Sequence, residues 1–181
     1  MKKLMSTVFI FLIMLASSQA QTFTLKSKDI GGQATNKQVF KGFGCTGENI
    51  SPQLSWENAP EGTKSFAVTM YDPDAPTGSG FWHWVVFDIP ANVTELKSDA
   101  GNLSKNLAPA GCIQSKTDFG QTGYGGPCPP EGHGFHQYII TVYALKTDKL
   151  GVDQNATAAY VGFNLYANTL AKASLIMYYK R

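Results

Sequence analysis

The stretch 66–89, FAVTMYDPDAPTGSGFWHWVVFDI, leaves a folding chain few options. Apolar and β-branched residues fill 66–71 and 82–89. Between them Pro73 and Pro76 lack N–H donors and fix φ, and Thr77, Gly78, Ser79 and Gly80 supply a turn, so the first strand must stop and reverse. An antiparallel hairpin is the expected product. Alternate side chains of a strand share a face, which points Asp72 and Asp74 the same way and returns His83 beside them at the hairpin mouth. Trp82 and Trp84 flank His83 at period two and are therefore expected opposite to it, in the core.

The first twenty residues read as a secretory signal. Lys2 and Lys3 form a charged start, 7–16 a short apolar run, and Ser18-Gln19-Ala20 a small-residue cleavage site. The mature chain is then one domain, 21–181, with no later apolar run long enough for a membrane helix and no cysteine placed for lipid anchoring. A periplasmic or secreted location follows. Without Lys2 and Lys3 the 15 basic residues fall level with the 13 acidic ones, which removes any case for a nucleic-acid partner. Low charge, 18 glycines and many aromatics suit a turn-rich β protein.

Further strands are expected at 23–26, 53–57 and 138–145. In the last, both alternating sets are largely apolar, the mark of a central strand buried on both faces. From Asn155, a plausible cap, Ala156, Ala159, Tyr160, Phe163, Tyr166, Ala167 and Leu170 recur at helical intervals and predict a helix packed on the sheet, followed by an extended segment at 174–179. The Gly, Asn, Pro and Ser density of 99–130 predicts long loops. Oxidising compartments preserve disulfides, and the Gly-rich settings of Cys45 and Cys128 favour a bridge between them with Cys112 left over. Three reduced thiols is the alternative, because sequence does not give connectivity.

The only histidines are His83, His133 and His136, all near loop and strand junctions. If the hairpin mouth and the start of 138–145 are neighbours, His83 and His136 face one pocket with Asp72, and the glycine-rich backbone nearby offers N–H groups to an oxyanion. A carboxylate beside an imidazole favours imidazolium, which suits a small phosphoryl or carboxyl group. The plainer alternative has Asp72 and Asp74 capping a turn and His83 as a core histidine. Zinc held by His133 and His136 with His83, Asp72 or a cysteine finds no CxxC or HExxH, and a calcium loop starting at Asp72 has His83 where its glutamate belongs. Hydrolysis of a phosphate ester by His136 and Asp72 is a further alternative, but no GxSxG nucleophile occurs.

GFGCTGENISPQLSW at 42–56, GTKSFAVTMYDPDAP at 62–76, GSGFWHWVVFDIP at 78–90 and DFGQTGYGGPCPPEGHGFHQYIITVYAL at 118–145 together resemble the phosphatidylethanolamine-binding protein family, in its bacterial Raf kinase inhibitor-like branch. The resemblance implies a mainly β fold, an antiparallel Greek-key β-sandwich with a few peripheral helices, and a small anion pocket without catalytic residues, cofactor or metal. It implies ligand contacts at Asp72, Pro73, His83, Gly126, Pro127, His136 and Tyr138. It also implies a possible role as a kinase- or protease-type inhibitor, with the protein partner unknown. One position departs: Gln137 stands where the family usually has arginine, so a rim charge is lost.

Overall fold

The structure is a computed structural model and describes residues 21–181; the signal-peptide reading of 1–20 lies outside the described residues. In chain order the strands are β1 Thr24–Lys26, β2 Lys41–Gly42, β3 Cys45–Thr46, β4 Leu54–Glu57, β5 Ser65–Asp72, β6 Phe81–Pro90, β7 Glu95–Leu96, β8 Ile113–Gln114, β9 His136–Leu145 and β10 Thr169–Tyr179. Helix α1 spans Ala158–Asn168, and a single 3-10 turn spans Leu103–Lys105. The strands at 23–26, 53–57, 66–71, 82–89 and 138–145 thus form within two residues of the sequence expectation.

A five-stranded sheet runs β10-β9-β5-β6-β8, all neighbours antiparallel, and faces a three-stranded sheet β1-β4-β7. β5 and β6 form the hairpin, while β9 returns by a long connection to lie on the other side of β5, as a Greek-key sandwich requires. Between the sheets lies the main core, in which Leu54, Trp56 and Leu96 of the small sheet meet Phe66, Val68, Met70, Trp84, Ile140 and Val142 of the large one. Each such side chain contributes roughly 1.5–3 kcal/mol by leaving water. Two polar side chains drawn into this interior pair with each other: Trp84 Nε1 donates to Gln114 Oε1 at 2.7 Å, and Gln114 Nε2 donates to the Ala100 carbonyl at 2.9 Å.

A third layer, α1, covers one end of the large sheet's outer face through Ala158, Val161 and Leu165 against Ala67, Val85, Phe87 and Leu145. Two features of this layer correct the sequence reading. Thr157, not Asn155, is the cap, its Oγ1 accepting from the Tyr160 N–H at 3.3 Å, while the Asn155 N–H donates to Asp153. The buried stripe is also not the one chosen from sequence, since Tyr160, Phe163 and Tyr166 point outward, Tyr166 at 88% exposure. Two apolar stripes share this helix, and the one with small residues fits closely under the sheet. Because α1 covers only that end, Ile139 and Tyr143 of β9 stay half-buried, whereas Tyr138, Ile140, Val142 and Ala144 are fully enclosed.

Register within the hairpin explains a second departure. Met70 pairs with Trp84 but Tyr71 pairs with Trp82, so His83 is an extra residue in a β-bulge. A bulge breaks the period of two. Trp84 accordingly joins the sandwich core beside Tyr124, Trp82 packs on the opposite face with the helix-side cluster, and the two do not share a face. A second register shift near Asp88 is built on left-handed backbone, φ 57°, with the Asp88 carboxylate accepting from the Leu150 N–H at 2.9 Å.

Cys45 and Cys128 are joined, and Cys112 is free. The bridge closes a separation of 83 residues, which by chain entropy restricts the unfolded state by roughly 4–5 kcal/mol before native strain is subtracted. Reduction, or paired Cys45→Ser and Cys128→Ser replacement, is expected to lower the free energy of unfolding in urea by about 2–4 kcal/mol. Cys112→Ser should leave the denaturation midpoint where it is. A midpoint insensitive to reductant would show that the bridge constrains little.

Candidate functional site

The site lies at the end of the sandwich where β5 stops, β6 starts and β9 begins. Asp72 is the last residue of β5 and is buried. One of its oxygens accepts from the Asp74 N–H at 2.9 Å, and the other lies 2.8 Å from His136 Nδ1. Asp74 in turn accepts from the Gln137 N–H at 2.8 Å. The two carboxylates foreseen on one face therefore divide their roles: Asp72 holds an imidazole, and Asp74 fastens the turn to the start of β9. Gly80 closes that turn at φ +69°, where a Cβ would fall 2.2 Å from the Tyr71 hydroxyl.

Since Asp72 accepts, His136 Nδ1 carries a proton, and the pair is almost dry, with side chains 2% and 4% exposed. His136 Nε2 lies 2.8 Å from His133 Nδ1, so a single proton is shared between the two rings. His133 was foreseen only as a metal candidate; among the described residues no group of three or more His, Cys, Asp and Glu side chains is arranged to hold a metal ion. The contact was not legible in sequence because the loop Gly132 to Gly134 folds back through two left-handed glycines, φ +74° and +87°.

His83 differs from His136. Its ring is buried, and Nδ1 donates to the Gly125 carbonyl at 2.8 Å. Burial lowers its pKa from 6.5 to about 4, outweighing the Gly125 hydrogen bond, the Asp72 charge, the Gly126 backbone and the Asp118 charge, all of which act to raise it. The expected imidazolium is thus not found at His83, which is a neutral ring at physiological pH. Tyr138 is fully buried, and its hydroxyl makes no hydrogen bond of good geometry among the described residues, although the Asp72 carboxylate lies close enough to interact with it. Burial, then the nearby Asp72 charge, pushes that phenol well above its ordinary pKa, so it remains a donor.

These groups line a cavity of about 120 Å³. It is small beside the roughly 300–1,000 Å³ of sites for drug-sized ligands, and so fits a small group. The remaining walls are mostly apolar. Phe81 and Phe119 pack on His83 with ring centroids 5.1 and 5.3 Å away, and Phe43, 71% exposed, forms the rim against Phe119. Cys128, Pro129 and Pro130 complete the opposite wall, so the disulfide ties that wall to the β2–β3 hairpin that carries Phe43. The aromatic wall was missed in sequence because Phe43 and Phe119 sit in loops without periodicity.

Of the residues foreseen at the pocket, Asp72, His83, His136 and Tyr138 meet there, and Pro73, Gly126 and Pro127 do not line it. Pro73 is exposed in the turn. Gly126 presses on the backbone of 38–40, where a Cβ would lie 1.9 Å from the Gln38 carbonyl oxygen, and the Pro127 carbonyl accepts from the Phe40 N–H. The glycine N–H groups are also spent: Gly125 donates to the His83 carbonyl and Gly126 to Asn49 Oδ1. They position the wall instead of offering donors to a ligand.

The two-sheet antiparallel sandwich is an architecture already seen in crystals. The fold superposes on Escherichia coli YbcL, described as a new member of the mammalian PEBP family, with TM-score 0.86 and 52% identity over 88% of this chain and 98% of that one. A phosphatidylethanolamine-binding protein homologue of Chlamydia trachomatis gives TM-score 0.72 at 26% identity over 88% of this chain and 97% of that one. In sequence, the UPF0098 protein YbhB of Escherichia coli is 50% identical over 80% of this chain and 90% of its own length. The family profile "Phosphatidylethanolamine-binding protein" matches residues 31–180. The chain belongs to the phosphatidylethanolamine-binding protein family.

The lowered His83 pKa has a consequence for stability. Between its folded value of about 4 and the 6.5 of the unfolded chain, only the unfolded state takes up this proton, so stability is retained above 6.5 and lost as pH falls toward 4. The loss attributable to His83 is about 3 kcal/mol. Unfolding free energies measured across pH 4–7 should fall with acidification, and His83→Gln should flatten that slope. An equal slope in the variant would place the titrating group elsewhere.

Proposed function

We propose that this protein is a binding protein that holds a small phosphoryl or carboxylate group in the cavity formed by Asp72, His83, His136 and Tyr138. The observation that carries this reading is the Tyr138 hydroxyl, buried and without a well-formed hydrogen bond beside a cavity also lined by the Asp72–His136 pair. A buried donor left unpaired is costly, and an oxygen-rich ligand would satisfy it. The size of the cavity favours the group itself over the body that bears it, and exposed Phe43 offers an apolar contact to whatever extends outward. Such a group could belong to a partner protein, whose activity would be modulated by capture.

Location in the periplasm or outside the cell is part of the proposal. The Cys45–Cys128 bridge is favoured in an oxidising compartment, and no helix of the described residues is long and apolar enough to cross a membrane. Ester hydrolysis is the second reading, supported by the orienting contact of Asp72 on His136. Against it, the His136 nitrogen that would act as base is engaged by His133.

Calorimetric titration with phosphoethanolamine and with acetate tests the binding reading. His136→Ala should abolish the heat, and Tyr138→Phe should weaken binding by about 0.5–1.5 kcal/mol, a few-fold to roughly tenfold. Unchanged heats in both variants would contradict the assignment. Steady phosphate release from an ester, lost in Asp72→Ala, would favour the hydrolase.

A further inference from the structure

The polar groups around the cavity differ in what they can offer a ligand, and the difference defines a ligand class. Tyr138 presents an O–H that makes no hydrogen bond of good geometry to a protein group, Asp72 being the carboxylate close enough to act on it. Beside it, the Nδ1 proton of His83 is committed to the Gly125 carbonyl, leaving Nε2 as the ring nitrogen available to the cavity that His83 lines. In a neutral ring held as this tautomer, Nε2 carries a lone pair and no hydrogen, and so is an obligate acceptor. Phe81, Phe119 and Tyr138 enclose the ring at centroid distances of 5.1, 5.3 and 5.1 Å, which opposes reorientation. Neither lysine nor arginine lines the cavity, and the Asp72 carboxylate does.

A fully ionised phosphate monoester carries only lone pairs on its free oxygens. Placed here, it would set one of them against His83 Nε2 and a second negative charge near Asp72, with no lysine or arginine in the lining to offset either. A singly protonated ester carries one P–OH and one less charge. The geometry points to a pocket that selects the singly protonated phosphate monoester, its P–OH donating to His83 Nε2 while a bare oxygen accepts from the Tyr138 hydroxyl. This rests on the pocket reading proposed above and narrows it. Phosphodiesters, the chemistry of an intact phospholipid headgroup, have no P–OH and are disfavoured by the same lone-pair conflict, as are sulfate esters.

The neutral state of His83 supports the assignment, since burial holds its pKa near 4 against the Asp72 and Asp118 carboxylates. Asp72, His136 and Tyr138 also line the cavity, and His133 contacts His136 from outside the lining. The readout is therefore a ratio of affinities between ligands, which cancels titration of the protein alone.

The test titrates methyl phosphate, methyl sulfate and dimethyl phosphate into the oxidised protein at pH 5.5, 7 and 8. At pH 5.5 all three are monoanions, and only methyl phosphate bears the proton. Methyl phosphate should bind at least about tenfold tighter than the other two, the scale on which an unsatisfied buried group is penalised. Above its second ionisation, near about 6, that advantage should shrink by roughly tenfold per pH unit. His83→Gln, whose amide N–H can donate, should bring the three affinities at pH 5.5 to within a few-fold. Nitrogen NMR of the wild-type His83 ring, reporting the Nδ1–H tautomer, keeps the test decisive should that variant not fold. Equal binding of methyl phosphate and methyl sulfate at pH 5.5, an advantage that grows with pH, or an Nε2–H tautomer would each overturn the inference while leaving an anion pocket in place. Absence of binding by all three at every pH would overturn the pocket itself.

Discussion

A carboxylate almost removed from water sets the terms for this end of the molecule. Asp72 could not be buried at the tip of β5 without partners, and it has an imidazole N–H at 2.8 Å and a backbone N–H at 2.9 Å. Those contacts fix where β9 must begin, because His136 is its first residue. Asp74 repeats the tie one position on, through the Gln137 N–H. The hairpin and the central strand are thus joined at one point by charge-assisted hydrogen bonds, and the cavity is the space left beside that joint.

The loops around the joint are held by independent means. The segment that follows Asp118 runs along the start of β6, with the Asp118 carboxylate accepting from the Trp82 N–H at 2.7 Å, and this brings Phe119 onto His83. Gly125 receives the His83 ring and donates back to its carbonyl. The disulfide anchors Cys128 to the β2–β3 hairpin, and Arg181 Nη1 donates to the Phe43 carbonyl at 3.2 Å. An apolar rim and a polar floor therefore have separate supports, so that substitutions at the rim and at the floor should be separable in effect.

Much of this was legible in the sequence, and the reasons are local. Strand positions followed from alternation and from prolines that forbid continuation, as at Phe66 to Tyr71 before Pro73. The meeting of Asp72 with His136 required two distant motifs to be read together. What escaped depended on tertiary geometry. A single extra residue at His83 moved Trp82 and Trp84 to different faces, and no sequence period signals a bulge. On α1 the larger side chains suggested the wrong stripe, since Ala158, Val161 and Leu165 fit the space under the sheet and Tyr160, Phe163 and Tyr166 do not. Gly126 and Pro127 carried the family's motif but support the wall from behind, and Gly126 is glycine because a Cβ would strike the Gln38 carbonyl. The burial that makes His83 an acceptor could not be seen from its neighbours in the chain.

The central claim is that Tyr138 and His136 form the floor of a site for a small oxygen-rich group. A crystal structure grown with a phosphate monoester tests it most directly. The account predicts tetrahedral density within hydrogen-bonding distance of the Tyr138 hydroxyl, with the His133 ring or the ligand at His136 Nε2. Ester density found only elsewhere, as in the groove between Trp82 and Leu170 beside α1, with Tyr138 still unsatisfied, would contradict it.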